Sequence, residues 1–291
     1  MPLVHEHTFP IRFYECDANR HVNNANYLRY MQEAAFAASA AAGYDFARYA
    51  ELGQSWLIRE TEIEYFAPLV YGDTLTIKTW VDDFRRVRSR RRYESYKIGG
   101  SKPLARASTD WIYLDTATTR PVAIPDQLKR AFFPEGIPAQ EGKRAPFPEP
   151  PPAPPGMFAA TRRVEWRDID GVGHVNNAVY LSYIEDAGVQ ASAAFGWPIE
   201  RMEAAGFAII PRKHHLEYLH PARMDDQLVI QTRDSGGRRS TATRHYLIRR
   251  AGDGTLLARV NTLYVWVNTE TFRPMRIPEA FWKDFEANIV A

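Results

Sequence analysis

The chain has 291 residues, enough for about two domains that can each bury a core of their own. Apolar residues make up 45% and charged residues 25%, which excludes a disordered chain, and a formal net charge of +2 offers no electrostatic reason to expect a nucleic-acid partner. The lone cysteine, Cys16, excludes an internal disulfide framework and a cysteine-rich zinc cluster, and no apolar run approaches the ~18 residues of a membrane-spanning helix, so a cytoplasmic protein without metal, cofactor or membrane partner is expected.

In chain order, residues 1–7 lack the basic and apolar regions of a secretion signal. Residues 17–27 then read Asp-x-x-x-His-Val-Asn-Asn-x-x-Tyr, with Asp17, His21 and Asn24 at the ordered positions. The spacing predicts a helix over 24–42: Asn stands at either plausible N-cap position, helix formers follow, and Gly43 closes the segment. Ala34, Ala35, Ala37, Ala38, Ala40, Ala41 and Ala42 leave that helix little side-chain bulk, which suits close approach to a surface wrapped around it. Beyond it the period changes from about 3.6 to 2, predicting strands over 60–65, 75–81, 88–98 and 106–114. The densest basic run, Arg85, Arg86, Arg88, Arg90, Arg91 and Arg92, leads into and begins the third of these.

From 134 to 156 the chain is too rich in proline to supply the backbone donors of helix or sheet, and is predicted to be an extended, semi-rigid linker. A proline-rich ligand for another protein is the alternative, which its place between two domains disfavours. The pattern then begins again. Residues 170–180 repeat the motif with Asp170, His174 and Asn177, a helix is predicted over 177–195 before Gly196, and strands over 213–218, 227–233, 241–249 and 257–267.

The two copies are offset by 153 residues, His21 to His174, and the offset holds far from the motif: Glu64-Tyr65 meets Glu217-Tyr218, Arg85 meets Arg238, Tyr93 meets Tyr246, and Thr118-x-Arg120-Pro121 meets Thr271-x-Arg273-Pro274. A register kept without insertion over roughly 110 positions is a duplicated fold, not a recurring short motif. The domains are therefore expected at 1–133 and 157–291, with the linker at 134–156. One long helix followed by a run of strands argues an α+β design, an antiparallel sheet covering a single helix.

The long Ala-rich helix, entered through Asp-x-x-x-His-Val-Asn-Asn-x-x-Tyr and followed by an antiparallel sheet, resembles the hotdog-fold thioesterases, in particular the 4-hydroxybenzoyl-CoA thioesterase-like and acyl-acyl-carrier-protein (ACP) thioesterase branch. The resemblance spans nearly the whole chain in two passes. It implies two tandem hotdog domains, each a central helix wrapped by its sheet, forming a pseudo-dimer within one chain, with a homodimer of such double units left open. It also implies an acyl thioesterase acting on acyl-CoA or acyl-ACP. Asp17 and Asp170 fall on the catalytic carboxylate of the CoA type, and the amides near Asn24 and Asn177 on its oxyanion donor. The Asp-x-Asn-x-His pattern of the ACP enzymes is kept as Asp17-Ala18-Asn19-Arg20-His21. The second copy has Val172 where the first has Asn19, and the further glutamate of those enzymes falls near Pro68, not on an acid.

The residues support this chemistry independently. A carboxylate before a helix can attack a carbonyl or deprotonate water, and amides of the helix's first turn lie at the positive end of its dipole. Each candidate also has a plainer reading. Asp before a helix is often only a cap; His21 and His174 can fasten the loop to the sheet; a charged strand can protect a sheet edge. The functional roles are Asp17 as nucleophile or base, Asn19 and His21 assisting, and Asp170, His174 and Asn177 as a second site. Arg85, Arg88, Arg90, Arg238 and Arg239 are candidates for CoA phosphates. Cys16 is expected to be a buried apolar position, facing away from its neighbour Asp17 and matched by Ile169. His214-His215 has no metal-ligand spacing, and no Gly-rich phosphate loop, Gly-x-Ser-x-Gly elbow or dinucleotide fingerprint is present. The alternative function is a non-catalytic acyl-CoA-binding or regulatory protein of the same fold.

Overall fold

The structure, a computed structural model, describes residues 1–137 and 144–290. The chain divides into two compact units, Met1–Pro146 and Phe147–Ala291. Part of the expected linker, residues 138–143, lies outside the described residues.

The first unit contains strand β1 (His5–Pro10), helices α1 (Asn24–Ala41) and α2 (Phe46–Glu51), strands β2 (Gln54–Tyr65), β3 (Thr74–Phe84), β4 (Arg88–Lys97) and β5 (Ala105–Asp115), and helix α3 (Asp126–Phe132). Its strands pair in the order β1-β3-β4-β5-β2, antiparallel throughout. Helix α1 starts where its cap dictates: Asn23 Oδ1 accepts the Ala25 amide at 2.9 Å and the Asn23 carbonyl accepts the Asn26 amide at 2.9 Å. It stops at Gly43, whose φ of +84° is a left-handed conformation that glycine adopts without strain. The face it buries follows the helical period, Tyr27, Leu28, Met31, Ala34, Ala35 and Ala38, and it packs on β1 and β3. Alternate residues of β3, Leu75, Ile77, Thr79 and Val81, complete the core, and each fully buried Leu or Ile there contributes about 1.5–3 kcal/mol.

The second unit repeats the plan with β6 (Phe158–Arg163), α4 (Val179–Ala194), α5 (Ile199–Ala204), β7 (Phe207–Tyr218), β8 (Gln227–Ser235), β9 (Thr241–Arg250), β10 (Leu256–Asn268), α6 (Glu279–Asp284) and the short β11 (Ile289–Val290). The order is β6-β8-β9-β10-β7, again antiparallel, with β11 added parallel to β8. Helix α4 begins two residues later than its sequence suggests. Asn176 binds the amides of Ala178 through Oδ1 and of Val179 through its carbonyl, both at 2.9 Å, so Asn177 and Ala178 form a turn ahead of the helix. Aromatic packing of Trp197, Phe207, Trp266 and Phe281 closes the far end of this core.

Several elements carry no clear signal in the sequence. Strands β1 and β6 are half-buried edge strands with polar alternation, and α3 and α6 are too short to show a period. The part of the proline-rich tract on the second unit forms neither helix nor strand and is bound to that unit. Phe147 is 4% exposed and lies against His215 at 4.6 Å and under the Arg259 guanidinium at 4.7 Å. Arg233 donates to the Pro151 carbonyl at 2.8 Å, Asn261 to that of Pro148 at 3.2 Å, and Arg259 pairs with Glu149 at 2.6 Å. Prolines lack amides but keep their carbonyls, so side-chain donors of the sheet can hold the tract in place.

Candidate functional site

Each motif copy folds into a tight turn stapled to the start of its helix. In the first unit a 3-10 turn (Phe13–Glu15) leads into a bridge between Cys16 and Val22 that brackets the loop. The Asp17 amide donates to the His21 carbonyl at 2.8 Å, and the Arg20 amide to the Asp17 carbonyl at 2.9 Å. Asp17 Oδ1 accepts the amides of Asn19 at 2.8 Å and His21 at 3.3 Å. Arg20 takes φ of +63° to make the turn, and its counterpart is Gly173 with φ of +85°. Glu15 anchors the arrangement, its carbonyl accepting the Asn23 amide at 2.9 Å and Asn26 Nδ2 at 2.8 Å.

The second copy reproduces the backbone bonds of the turn. The Asp170 amide reaches the His174 carbonyl at 2.9 Å, the Gly173 amide reaches the Asp170 carbonyl at 2.9 Å, and Asp170 Oδ1 accepts the Val172 amide at 2.9 Å. Asn176 Nδ2 lies 3.5 Å from Asp170 Oδ2, at the outer limit of a hydrogen bond. Tyr218 donates to the Asn177 carbonyl at 3.0 Å, as Tyr65 does to that of Asn24 at 3.4 Å, which explains why the tyrosine recurs.

Asp17, Asn19 and His21 thus share one turn, with Asn24 as the first residue of α1. Asp17, His21, Asp170 and His174 are half-buried, whereas Asn19 is exposed and Val172, in its place, is 75% exposed. The amides of Ala25 and Asn26 are occupied by Asn23, so neither is the oxyanion donor. In the second unit Asn177 precedes its helix, outside the first turn where the dipole acts most strongly. Cys16 is half-buried, not buried as expected, with Sγ 3.9 Å from the Arg12 carbonyl; Ile169 is half-buried as well.

The basic run does something other than line a sheet edge, because β4 is an interior strand between β3 and β5. Arg90 Nε binds Asp110 Oδ1 at 2.7 Å, Arg88 approaches Asp110 at 3.8 Å, Arg85 approaches Asp83 at 3.6 Å, and Arg144 bridges Asp83 and Asp110. Guanidinium groups of Arg85, Arg88 and Arg90 are therefore engaged by carboxylates that would compete with a phosphate. Arg238 and Arg239 are exposed in the β8–β9 connection, and among the described residues no carboxylate pairs with either.

Two features escape sequence reasoning. Glu15 and Asp168, 7% and 5% exposed, hold the loop entrance: Arg12 donates its amide to Glu15 at 2.7 Å, and Tyr183 donates to Asp168 Oδ2 at 2.7 Å. Burial, and then the neighbouring acid, raises the hydroxyl pKa of Tyr30 and Tyr183. The readable signal is an acid two residues before each motif aspartate with a tyrosine 15 residues after that acid, Glu15 with Tyr30 and Asp168 with Tyr183. The other feature is a pair of inward arginines, Arg91 and Arg244, which again obey the 153-residue offset.

Among the described residues no group of His, Cys, Asp and Glu is placed to hold a metal, and no helix is long and apolar enough to cross a membrane. The chain matches the Thioesterase-like superfamily over residues 11–132 and again over 164–285. It is 26% identical over 193 residues to an acyl-[acyl-carrier-protein] hydrolase of Cuphea viscosissima, covering 62% of this chain and 46% of that one, so it spans about half the length of that plant relative. It is 30% identical over 130 residues to the acyl-CoA thioester hydrolase YbgC of Escherichia coli, covering 45% of this chain and 96% of that one. A solved structure from Lactobacillus plantarum, assigned as an oleoyl thioesterase, superposes with a TM-score of 0.78 at 17% identity, covering 96% of this chain and 98% of the other, a likeness of fold. With both units matched, each a helix-and-sheet hotdog domain, the chain belongs to the Thioesterase-like superfamily.

Proposed function

We propose that the protein is an acyl thioesterase that hydrolyses acyl-CoA or acyl-ACP thioesters to the free acid and the thiol. The observation that carries this reading is the Asp17 turn: a half-buried carboxylate, held by the Asn19 and His21 amides, set beside the start of α1 in a chain of this superfamily. Asp17 acts as nucleophile or general base. As base it takes a proton from water, whose oxygen attacks the thioester carbonyl; as nucleophile it forms a mixed anhydride, expels the thiolate, and water then opens the anhydride. Asn24 supplies the oxyanion donor at the helix start, where a well-placed amide is worth about 2.7–4 kcal/mol. Asn19 and His21 orient the loop and the attacking group.

The first copy is the principal site. Asn19 and a helix that begins at Asn24 support that choice, against Val172 and a helix that begins beyond Asn177 in the second. Arg238 and Arg239, exposed and without a carboxylate partner among the described residues, are the better candidates for CoA phosphates. A cytoplasmic setting fits the lone cysteine.

Thiol release from a panel of short, long, branched and aromatic acyl-CoAs and acyl-ACPs tests the reading, with Asp17→Asn, Asp170→Asn and the double variant. Asp17→Asn should lower kcat by about 100-fold or more. Binding of acyl-CoA with no turnover across the panel would instead establish the non-catalytic alternative. Loss of turnover in Asp170→Asn alone would transfer the principal site to the second copy.

A further inference from the structure

Arg244 of the second unit sits in a complete cradle. It is 6% exposed; Nε and Nη2 bind the two oxygens of Asp234 at 2.8 and 2.7 Å, Nη1 donates to the Gly188 carbonyl at 3.2 Å, and the guanidinium lies 5.4 Å from the Phe285 ring centre. Asp234 stands directly opposite it on the adjacent strand.

Arg91 occupies the same place in the first unit. It too is 6% exposed, and its guanidinium lies 5.4 Å from the ring of Phe132, the counterpart of Phe285. The residue directly opposite, however, is Val81, 1% exposed. Nη1 makes a long contact of 3.4 Å to Thr79 Oγ1, and among the described residues no carboxylate pairs with Arg91; its electrostatic neighbours include the hydroxyls of Tyr93 and Tyr49 and the imidazole of His5. The duplication thus supplies its own reference: the cation and its aromatic wall are kept, while Val81 takes the facing position that Asp234 holds in the second unit. A buried donor demands an acceptor, and a guanidinium demands a planar, charged one.

We infer that the interior of the first unit receives an acyl group whose far end carries a carboxylate, bound by Arg91, so that the substrate class is the monothioester of a dicarboxylic acid. This rests on the thioesterase reading above. The distance is suitable. Arg244 reaches the carbonyl of Gly188, whose counterpart on α1 is Ala35, eleven residues beyond Asn24 and about 16 Å along the helix from the proposed oxyanion donor, the span of a medium-length chain.

The test compares the full chain, Arg91→Met and Val81→Asp on ω-carboxylated acyl-CoAs and their monocarboxylic counterparts of equal length. The wild type should prefer the ω-carboxylated series in kcat/KM by about tenfold to 100-fold, as expected for a charge-assisted hydrogen-bonded pair. Both variants should bring that ratio to about one, Arg91→Met by removing the cation and Val81→Asp by giving it the partner that Arg244 has. A purely structural Arg91 would lower both series together and keep the ratio. Hydrolysis of the monocarboxylic series with no preference in the wild type overturns the inference and leaves the thioesterase reading standing. Where no thioester is hydrolysed, calorimetry with free dicarboxylic acids, monocarboxylic acids and chloride decides. Arg91-dependent binding of the dicarboxylates alone supports the site although the thioesterase reading fails; equal binding of chloride, or no binding, overturns it.

Discussion

Asp234→Val would give the second unit the residue that the first has opposite its buried arginine. The variant strands Arg244, whose side chain is 7% exposed, after removing two charge-assisted bonds of 2.7 and 2.8 Å. Breaking one half of a buried pair costs about 3–5 kcal/mol, since the remaining charge has lost its counterion but stays out of water. Against a typical domain stability of roughly 5–15 kcal/mol that is a large share, and at a urea dependence of about 2 kcal/mol/M it moves the unfolding midpoint by about 2 M. Urea unfolding followed by tryptophan fluorescence would measure it, because Trp197 and Trp266, 4% and 3% exposed, report on this core. Asp234→Val with Arg244→Met should recover much of the loss, as an apolar pair needs no compensation. A cost below about 1 kcal/mol, or no recovery in the double variant, would refute the reasoning, and with it the claim that Arg91 calls for an acceptor.

Burial in β7 pushes His214 down to about 3 from 6.5, and Nδ1 is hydrogen-bonded with Thr262 Oγ1 at 2.9 Å. The unfolded chain takes up a proton below pH 6.5 that the folded protein refuses until about pH 3, so stability is full above 6.5 and falls with pH between the two values. From about pH 7.5 to pH 5 the loss is about 2 kcal/mol; denaturant titrations of His214→Gln should show that part of the slope removed, and parallel slopes would exclude His214 as its source. Joint replacement of Arg238 and Arg239 with alanine should raise KM for acyl-CoA by about twofold to 30-fold, with the difference shrinking in salt, since exposed contacts are worth roughly 0.2–1 kcal/mol each. An unchanged KM in steady-state kinetics would remove both from the CoA site. Tyr218→Phe should cost about 0.5–1.5 kcal/mol and Tyr65→Phe less, because the first donates to the helix-start carbonyl at 3.0 Å and the second at 3.4 Å; thermal unfolding in the reverse order would contradict the geometry.

Much of the architecture is legible in the residues. The 153-residue offset, the change of period after each helix and the glycines at 43 and 196 are local or repetitive signals, and they yield two helix-and-sheet units with α1 ending within one residue of expectation. The motif turn is legible for the same reason: Asp17 binds amides two and four residues ahead, and Asp170 does the same for Val172, all within one stretch of chain. Edge strands β1 and β6 were not legible, because half-buried polar alternation resembles a loop.

The basic run marks the boundary. As sequence, Arg88, Arg90, Arg91 and Arg92 are one charged patch, but the pleat separates them, sending Arg90 to Asp110, Arg92 to Asp82 at 2.9 Å and Arg91 into the core. Which residue faces each arginine across the sheet depends on strand order and register, and those are set by long-range pairing that no local pattern encodes. The sequence by itself determined the duplication, the helix entrances and the chemistry carried on the turn. Only the tertiary structure could decide that the same buried arginine meets Asp234 in one unit and Val81 in the other.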